Sequence, residues 1–369
     1  MAPVTGGQPT VVLTMIVRNE AHVIKRCIDS VRPVIDAWCI VDTGSTDGTQ
    51  DLIRDLLADL PGVLHEIPWR DFSFNRTKAL ELARPLGDYS LMIDADVVCL
   101  IDDSVSPAQF KSSLVADVYD VRFTEGIEYI RPQVSSTRRD FTYRGVLHEF
   151  LAIPEGAEHG GTIPGVRYTT FRDGARSQNP HKYLHDAETL RAALDSGDEP
   201  ELEPRYTFYL AQSYRDAGLV DEAIDAYRRR TELGGYLEEI YVSFSWLARL
   251  IGGRDGCTAE LVNGALRAAD IVPTRAEASY HAATAARHAG RMATAYIFAR
   301  HAASLPMPEV GLFVEPEVYR WRALYELSIA AYYVGAIGEG RDATDRLLSM
   351  SDLPPDERAA VEGNRAFYT

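Results

Sequence analysis

Basic charge is what this sequence most lacks. Lys and Arg total 38 against 54 Asp and Glu, a formal net charge of −16 over 369 residues. Phosphate contacts need basic surface, so a general nucleic-acid binder is excluded and docking on an anionic membrane face is disfavoured. Cysteine is scarce: Cys27, Cys39, Cys99 and Cys257 are the only four, with no Cys-x-x-Cys spacing among them. The first three stand in apolar surroundings, which reads as buried free thiols rather than zinc ligands or disulfides. No stretch reaches the roughly 18 apolar residues of a membrane span. Residues 1–8 have neither the basic start nor the apolar core of a signal peptide. A cytoplasmic location is the expectation. What remains is an ordinary globular composition, 46% hydrophobic and 25% charged. The chain is too long for one ordinary core, so two domains are the default.

The most informative stretch is Tyr89-Ser90-Leu91-Met92-Ile93-Asp94-Ala95-Asp96-Val97-Val98, an apolar run that breaks into two acids. Side chains two apart share a strand face, so Asp94 and Asp96 are expected to project together from a strand's carboxyl end. A divalent cation would relieve their repulsion, and oxygen ligands suit Mg²⁺ or Mn²⁺, which also bind diphosphate. A surface turn with two solvated acids is the plainer alternative. Upstream, an apolar run from Pro9 breaks at Arg18-Asn19-Glu20 before a helix over 21–31. A second run ends in Asp42-Thr43-Gly44-Ser45-Thr46-Asp47-Gly48-Thr49 before a helix over 50–60. A third, 63–67, leads through Trp69 and Asn75-Arg76 into a helix ending near Ala83. Strand and helix alternate four times, which predicts a mainly parallel α/β sheet with a ligand crevice at its carboxyl edge. Further short strands are expected over 118–123, 128–131 and 150–153, with a glycine- and proline-bearing stretch over 154–165.

The succession Ile16-Val17-Arg18-Asn19-Glu20, Val41-Asp42-Thr43-Gly44-Ser45-Thr46-Asp47-Gly48-Thr49 and Ile93-Asp94-Ala95-Asp96 resembles the family 2 glycosyltransferases of the GT-A fold. The likeness covers roughly the first 180 residues, and it is the ordered pair of acidic motifs that makes it specific. The resemblance implies inverting, metal-dependent transfer from a nucleotide sugar, with UDP-glucose favoured by family frequency and Mn²⁺ or Mg²⁺ as cofactor. It places Arg18 and Glu20 against the nucleoside, although Glu20 equally suits the first turn of a helix. Asp42 would accept a hydrogen bond from base or ribose, with Thr43 and Ser45 supporting its loop and Asp47 capping the next helix. Arg76 would contact base or phosphate, with a surface ion pair as the alternative. Trp69 could stack on a ring or pack in the core. Asp96 is the expected metal ligand and Asp94 the partner of ribose or a metal-bound water. The segment Tyr143-Arg144-Gly145-Val146-Leu147-His148-Glu149-Phe150 also resembles the family, which makes His148 a further metal ligand and Glu149 the acceptor-side acid. The Glu-Asp pair in which many relatives carry the catalytic base is missing, so Glu149 comes first for that role, then Asp140 and Glu128. His181 and Lys182 would close over the diphosphate or simply start a solvated helix.

Composition turns helical near residue 180, which predicts domains 1–180 and 181–369. Leu210, Tyr214, Gly218, Ala223 and Tyr227 fall at tetratricopeptide (TPR) offsets, and Gly290, Ala295 and Pro306 give a partial second match. A TPR-like all-α domain is expected, with a generic helical domain as the alternative. The family branch implied is one with peptide, antibiotic or surface-glycan acceptors. Lack of an anchor points to a small metabolite, a peptide or a soluble glycan, and leaves a homodimer open. Two other classes compete: an inactive glycosyltransferase-like scaffold, and a nucleotidyltransferase. The scaffold reading is opposed by intact Asp42, Asp94 and Asp96. The nucleotidyltransferase reading is opposed by the absence of glycine from Arg18-Asn19-Glu20, where such enzymes carry a glycine-rich loop.

Overall fold

The computed structural model describes residues 7–124, 129–309 and 311–368. The chain divides into two compact units, 1–189 and 190–369. The division falls inside a helix, Lys182–Ser196, C-terminal to the composition change at 180.

The first unit opens with β1 (Val11–Val17), α1 (Ile24–Val31), β2 (Ala37–Asp42), α2 (Thr49–Leu56), β3 (Gly62–Glu66), α3 (Phe72–Ala83) and β4 (Tyr89–Met92). There follow β5 (Val97–Ile101), α4 (Pro107–Ser112), β6 (Val118–Phe123), β7 (Tyr129–Ser136), β8 (Thr142–Arg144), β9 (Phe150–Ala152), β10 (His159–Thr170) and α5 (Lys182–Ser196). Eight strands form one sheet in the order β3-β2-β1-β4-β7-β6-β10-β5. The β3-β2-β1-β4 portion is parallel, as the βαβ alternation requires. Beyond it, β7 runs antiparallel to β4 and to β6, β10 parallel to β6, and β5 antiparallel to β10, so the whole sheet is mixed. Residues in β1 and β2 are buried almost without a break, because helices cover both sheet faces there. Val11, Leu13, Met15, Ile24, Ile28 and Ile40 are at the centre of this core.

The structure departs from the sequence reading at the acids. β4 stops at Met92, and Asp94 to Val97 is a tight turn closed by Val97 N–H donating to Asp94 O at 3.0 Å. Strand alternation therefore does not aim these side chains; the turn does. The glycine-bearing stretch is likewise not loop throughout. β10 runs through Gly160, Gly161 and Gly165, with register shifts against β6.

The second unit is helical: α6 (Glu203–Asp216), α7 (Val220–Glu232), α8 (Leu237–Arg254), α9 (Ala259–Ile271), α10 (Glu277–His288), α11 (Met292–Ser304), α12 (Ala323–Tyr333), α13 (Ile337–Ser349) and α14 (Pro355–Arg365). Three hairpins turn on a left-handed glycine: Gly218 (φ 79°), Gly290 (φ 70°) and Gly335 (φ 79°). Each is followed by the same closure: Leu219 N–H to Tyr214 O, Arg291 N–H to Ala286 O, and Ala336 N–H to Ala331 O, at 2.8–2.9 Å. This is the helix-terminating arrangement in which glycine avoids the Cβ penalty of a left-handed residue. A TPR-like repeat is thus visible in the backbone as well as in the buried Leu210, Tyr214, Ala223 and Tyr227. Among the described residues no helix is long and apolar enough to cross a membrane.

Candidate active site

Parallel registry brings the ends of β1, β2 and β3 level, with Val17 beside Asp42 and Asp42 beside Glu66. On the other side of β1, Ile93 N–H donates to Thr14 O at 3.3 Å, which carries Asp94 and Asp96 to the same edge. Arg18 to Glu20, Asp42, and Asp94 with Asp96 therefore gather at the carboxyl ends of three adjacent strands, where a switch in strand order leaves a crevice.

Most of the Thr43 to Thr49 loop serves to tie the first two strand ends together. Thr43 donates its N–H (2.9 Å) and hydroxyl (3.1 Å) to Val17 O. Ser45 Oγ accepts the Asn19 N–H at 2.9 Å, and Asn19 Oδ1 accepts the Thr46 N–H at 2.8 Å. Asn19 adopts φ 58°, a left-handed backbone that asparagine tolerates better than most residues. Thr49 Oγ1 accepts the Glu20 N–H at 2.8 Å. The N-cap of α2 is Gly48, not Asp47; Asp47, one residue outside it, accepts the N–H of Thr49 (3.1 Å) and that of Ala21 (3.1 Å) and so ties two loops together. Thr43 and Ser45 are accordingly loop supports, and Arg18 is exposed beyond them.

Asp42 is different. It is 1% exposed, and its Oδ2 accepts the N–H groups of Gly44 (3.0 Å) and Ser45 (3.0 Å) and the Gln50 amide (2.7 Å). Burial alone would raise its pKa, but the hydrogen bonds from Ser45, Gln50 and Gly44 outweigh it and the net shift is downward. The other oxygen, Oδ1, is buried and has no hydrogen-bond partner among the described residues.

Asp94 and Asp96, separated by Ala95, are shifted in opposite directions. Burial pushes Asp94 up, yet the guanidiniums of Arg76, Arg131 and Arg176 bring it below its ordinary value. Arg76 donates to its Oδ1 at 2.7 Å and Arg131 lies 3.8 Å from its Oδ2. Asp96 is raised, first by burial and then by the charge of Asp94. Among the described residues no lysine or arginine is paired with it. A loop over 171–179 holds Asp96 from the far side. Phe171 N–H donates to Asp96 O at 3.1 Å, and the Gly174 backbone acts on the carboxylate to lower its pKa, against the larger effects of burial and Asp94. Gly174 lies so close that an added Cβ would stand 3.2 Å from Asp96 Oδ2. The loop is anchored by Asp173, which takes a bidentate pair from Arg26 (2.9 and 2.7 Å), while His22 Nε2 lies 2.8 Å from its carbonyl. The Ala175 N–H lies 3.3 Å from both oxygens of Glu20. Burial, with smaller contributions from Asp96 and Asp94, raises Glu20 to about 7 against the effects of Ala175 and His22.

Arg76 is 5% exposed and joins two acids, with Nε 2.7 Å from Glu149 Oε1 as well as Nη2 on Asp94. The surface ion pair considered for it is therefore replaced by a buried bridge. Glu149, its side chain 10% exposed, turns inward to that bridge. His148 is exposed with φ 54°, and this left-handed break lets neighbouring His148 and Glu149 take separate environments. Asp140 lies elsewhere. Its side chain is 85% exposed and paired with Arg84 at 2.6 Å. Nearby Thr137 donates its N–H to Asp88 O at the amino end of β4, opposite Asp94. This position removes Asp140 from the crevice. Glu128 lies outside the described residues. Lys182 begins α5, half-buried, its N–H on Asn179 O (3.1 Å) and its ammonium 5.3 Å from the Tyr183 ring centre.

Among the described residues no group of three or more His, Cys, Asp or Glu is placed to hold a metal. The donor chemistry still suits Mg²⁺ or Mn²⁺ of the kind that a diphosphate brings with it, for which one or two carboxylates suffice. Asp96, partly buried, repelled by Asp94 and paired with no guanidinium among the described residues, has the donor chemistry that would suit such an ion. The buried thiols are free, as the sequence suggests, and Cys27 Sγ donates to Asp94 O at 3.3 Å. Arg131, Arg176 and the 171–179 loop are site residues that sequence reasoning missed. The only local signal was the Asp173-Gly174 dipeptide, a turn marker with no stated destination.

Residues 13–159 match the model of glycosyl transferase family 2. The chain is 28% identical over 229 residues to the SPbeta prophage-derived glycosyltransferase SunS of Bacillus subtilis (strain 168), a match covering 59% of this chain and 52% of that protein. The chain thus spans about half the length of that curated relative. A TPR repeat-containing protein of Synechococcus elongatus is 38% identical over 90 residues, 24% of this chain and 21% of its own. Among solved structures, S. aureus TarS 1–349 in complex with UDP-GlcNAc aligns over 66% of this chain and 87% of its own, with 14% identity and a TM-score of 0.36. The region that carries Asp42, Arg76, Asp94, Asp96 and Glu149, residues 13–159, is a family 2 glycosyltransferase domain.

Proposed function

We propose that the chain transfers a hexose from a UDP-linked donor to an acceptor such as a small metabolite or a peptide, with inversion at the anomeric carbon. The observation that carries the reading is Asp42. A buried carboxylate oxygen without a partner costs roughly 1–3 kcal/mol, and a ligand N–H or O–H arriving at Oδ1 would remove that cost. The imide N–H of a uracil, or a ribose hydroxyl, is a donor of the right kind. Arg18 and Glu20 flank the same strand edge and complete the nucleoside side, and Lys182 is the cation assigned to the diphosphate.

Asp96 would hold Mn²⁺ or Mg²⁺, which when bound stabilises charge on the leaving diphosphate. Asp94, already neutralised by Arg76 and Arg131, is left to accept from the ribose. Removal of the acceptor's proton falls to Glu149, which is one guanidinium away from Asp94 through Arg76 and so lies on the reacting side of the crevice. The base must come within hydrogen-bond reach of the acceptor, a requirement that Asp140 does not meet. His148, exposed beside Glu149, is assigned to the acceptor entrance or to the metal's outer surroundings rather than to a preformed cage. SunS, to which the chain is similar, is named a glycosyltransferase, which supports sugar transfer.

Calorimetric titration with UDP and Mn²⁺ tests the reading. Asp42→Asn turns the waiting acceptor toward a donor, and loss of a charge-assisted hydrogen bond predicts roughly tenfold to hundredfold weaker UDP binding. Binding of Mn²⁺–pyrophosphate, which has no nucleoside, should be unchanged. Equal UDP affinity in both proteins removes Asp42 from the donor site.

A further inference from the structure

One aromatic side chain at the crevice rim is used by nothing described so far. Of the segments that follow β1 to β4 (residues 18–23, 43–48, 67–71 and 93–96), one alone contains a Phe, Tyr or Trp, and that residue is Trp69. Its indole is 41% exposed. The backbone beneath it is fixed. Asn75, fully buried, donates from Nδ2 to Pro68 O at 3.2 Å and accepts the Arg70 N–H at 3.0 Å, so one amide grips the chain on both sides of Trp69. Asp71 then caps α3 by accepting the Phe74 N–H at 2.7 Å.

The ring itself is also placed. It stands edge-on to Phe72, with centroids 4.8 Å apart and planes at 82°. Phe72 has the Arg176 guanidinium 4.8 Å from its centre and that of Arg76, the partner of Asp94, at 6.0 Å. On the other side Ile67, two residues before Trp69, donates its N–H to Asp42 O at 2.9 Å. Trp69 is therefore tied by short covalent and packing paths to both Asp42 and the arginine cluster at Asp94. An exposed indole on an immobilised loop has little freedom left to lose when a ring stacks on it. An indole that served only packing would be drawn under cover, because burying its large apolar area is favourable.

We propose that Trp69 is the stacking platform for the donor's nucleobase, whose face lies on the indole while its edge meets Asp42. The assignment rests on the nucleotide-sugar reading above and names the residue that recognises the base as a ring. UDP and inorganic pyrophosphate, each with Mn²⁺, are titrated into wild type, Trp69→Ala and Trp69→Phe, with folding of each checked by circular dichroism. Base–aromatic stacking energies predict that Trp69→Ala weakens UDP binding roughly fivefold to a hundredfold. Trp69→Phe keeps a π face and should recover most of that loss, and pyrophosphate should bind all three alike. UDP should also quench wild-type indole fluorescence, with the quench missing from Trp69→Phe. Equal UDP affinity in wild type and Trp69→Ala overturns the platform and leaves the nucleotide-sugar reading standing, even where the acceptor KM rises. A matching loss for pyrophosphate overturns it as well, because the damage would then lie in the diphosphate site. A wild type that binds no nucleoside diphosphate overturns both readings.

Discussion

Replacing Asp96 with Asn should make the fold more stable and the protein inactive. Asp96 is raised in pKa by burial and by the charge of Asp94, and no arginine or lysine is paired with it among the described residues. Ionisation of this carboxylate in the folded state thus carries a penalty. Asn has nearly the same shape and removes the charge. Relief of this kind is commonly worth about 0.5–2 kcal/mol. With about 2–4 °C of melting temperature per kcal/mol for a unit of this size, the rise should be roughly 1–8 °C. The pH dependence fixes the cause. The folded pKa lies above the usual 3.8, so the penalty is absent where both states are protonated and grows as pH rises through the folded value. Calorimetric scans without divalent cation should therefore show the gap between variant and wild type close toward about pH 4 and open fully at neutral pH. Added Mn²⁺ and UDP should reverse the order, because wild type, which keeps the metal contact, gains more from binding, about 2.7 kcal/mol at a hundredfold excess over its Kd. A variant that is less stable at neutral pH without metal, a gap that ignores pH, or equal stabilisation of both proteins by Mn²⁺ and UDP would refute the reasoning.

Gly174→Ala places a methyl group 3.2 Å from Asp96 Oδ2. The few tenths of an ångström by which the carboxylate must yield should lower kcat/KM roughly threefold to tenfold, given that a 1 Å misplacement costs on the order of a hundredfold. Steady-state kinetics at several Mn²⁺ concentrations checks this, and an unchanged metal requirement with unchanged kcat/KM would show that the loop does not hold Asp96. Glu149→Gln should reduce turnover on the order of a hundredfold to ten-thousandfold while UDP affinity changes little, because it removes a proton acceptor and not a donor contact. Near-full turnover would mean that Glu149 serves only to hold Arg76.

The parallel half of the sheet was legible because its physics is local. Buried parallel strands read as unbroken apolar runs, and β1 and β2 begin and end where those runs do. The helical unit was legible for a similar reason: Gly218 and Gly290 each mark a left-handed turn that glycine alone makes without strain. β10 was not legible, since its glycines read as loop. Gly160 is a strand residue whose added Cβ would fall 2.1 Å from the Tyr119 ring, so glycine is required there by a crossing aromatic from another element. Asp42 as a site residue followed from its motif. Its unpaired oxygen did not, because that depends on Gln50 and two backbone amides all choosing Oδ2.

The two acids of the Asp-Ala-Asp motif show most clearly where sequence reasoning stops. Spacing makes them equivalent, two like charges close together. The fold makes them unlike, because Arg76 from α3 and Arg131 from β7 both reach Asp94, while among the described residues no arginine or lysine is paired with Asp96. Repulsion between neighbours then acts on one of them, and its pKa rises while the other falls. A residue that is neutralised within the protein suits a hydroxyl donor such as ribose; one left ionised without a partner suits a cation. Neither arginine is near in sequence, Arg76 lying 18 residues before Asp94 and Arg131 on a strand that pairs with β4 antiparallel. The unlike surroundings of Asp94 and Asp96 are thus a property of the sheet order, and a change that moved Arg131 without touching either acid would be expected to make them more alike.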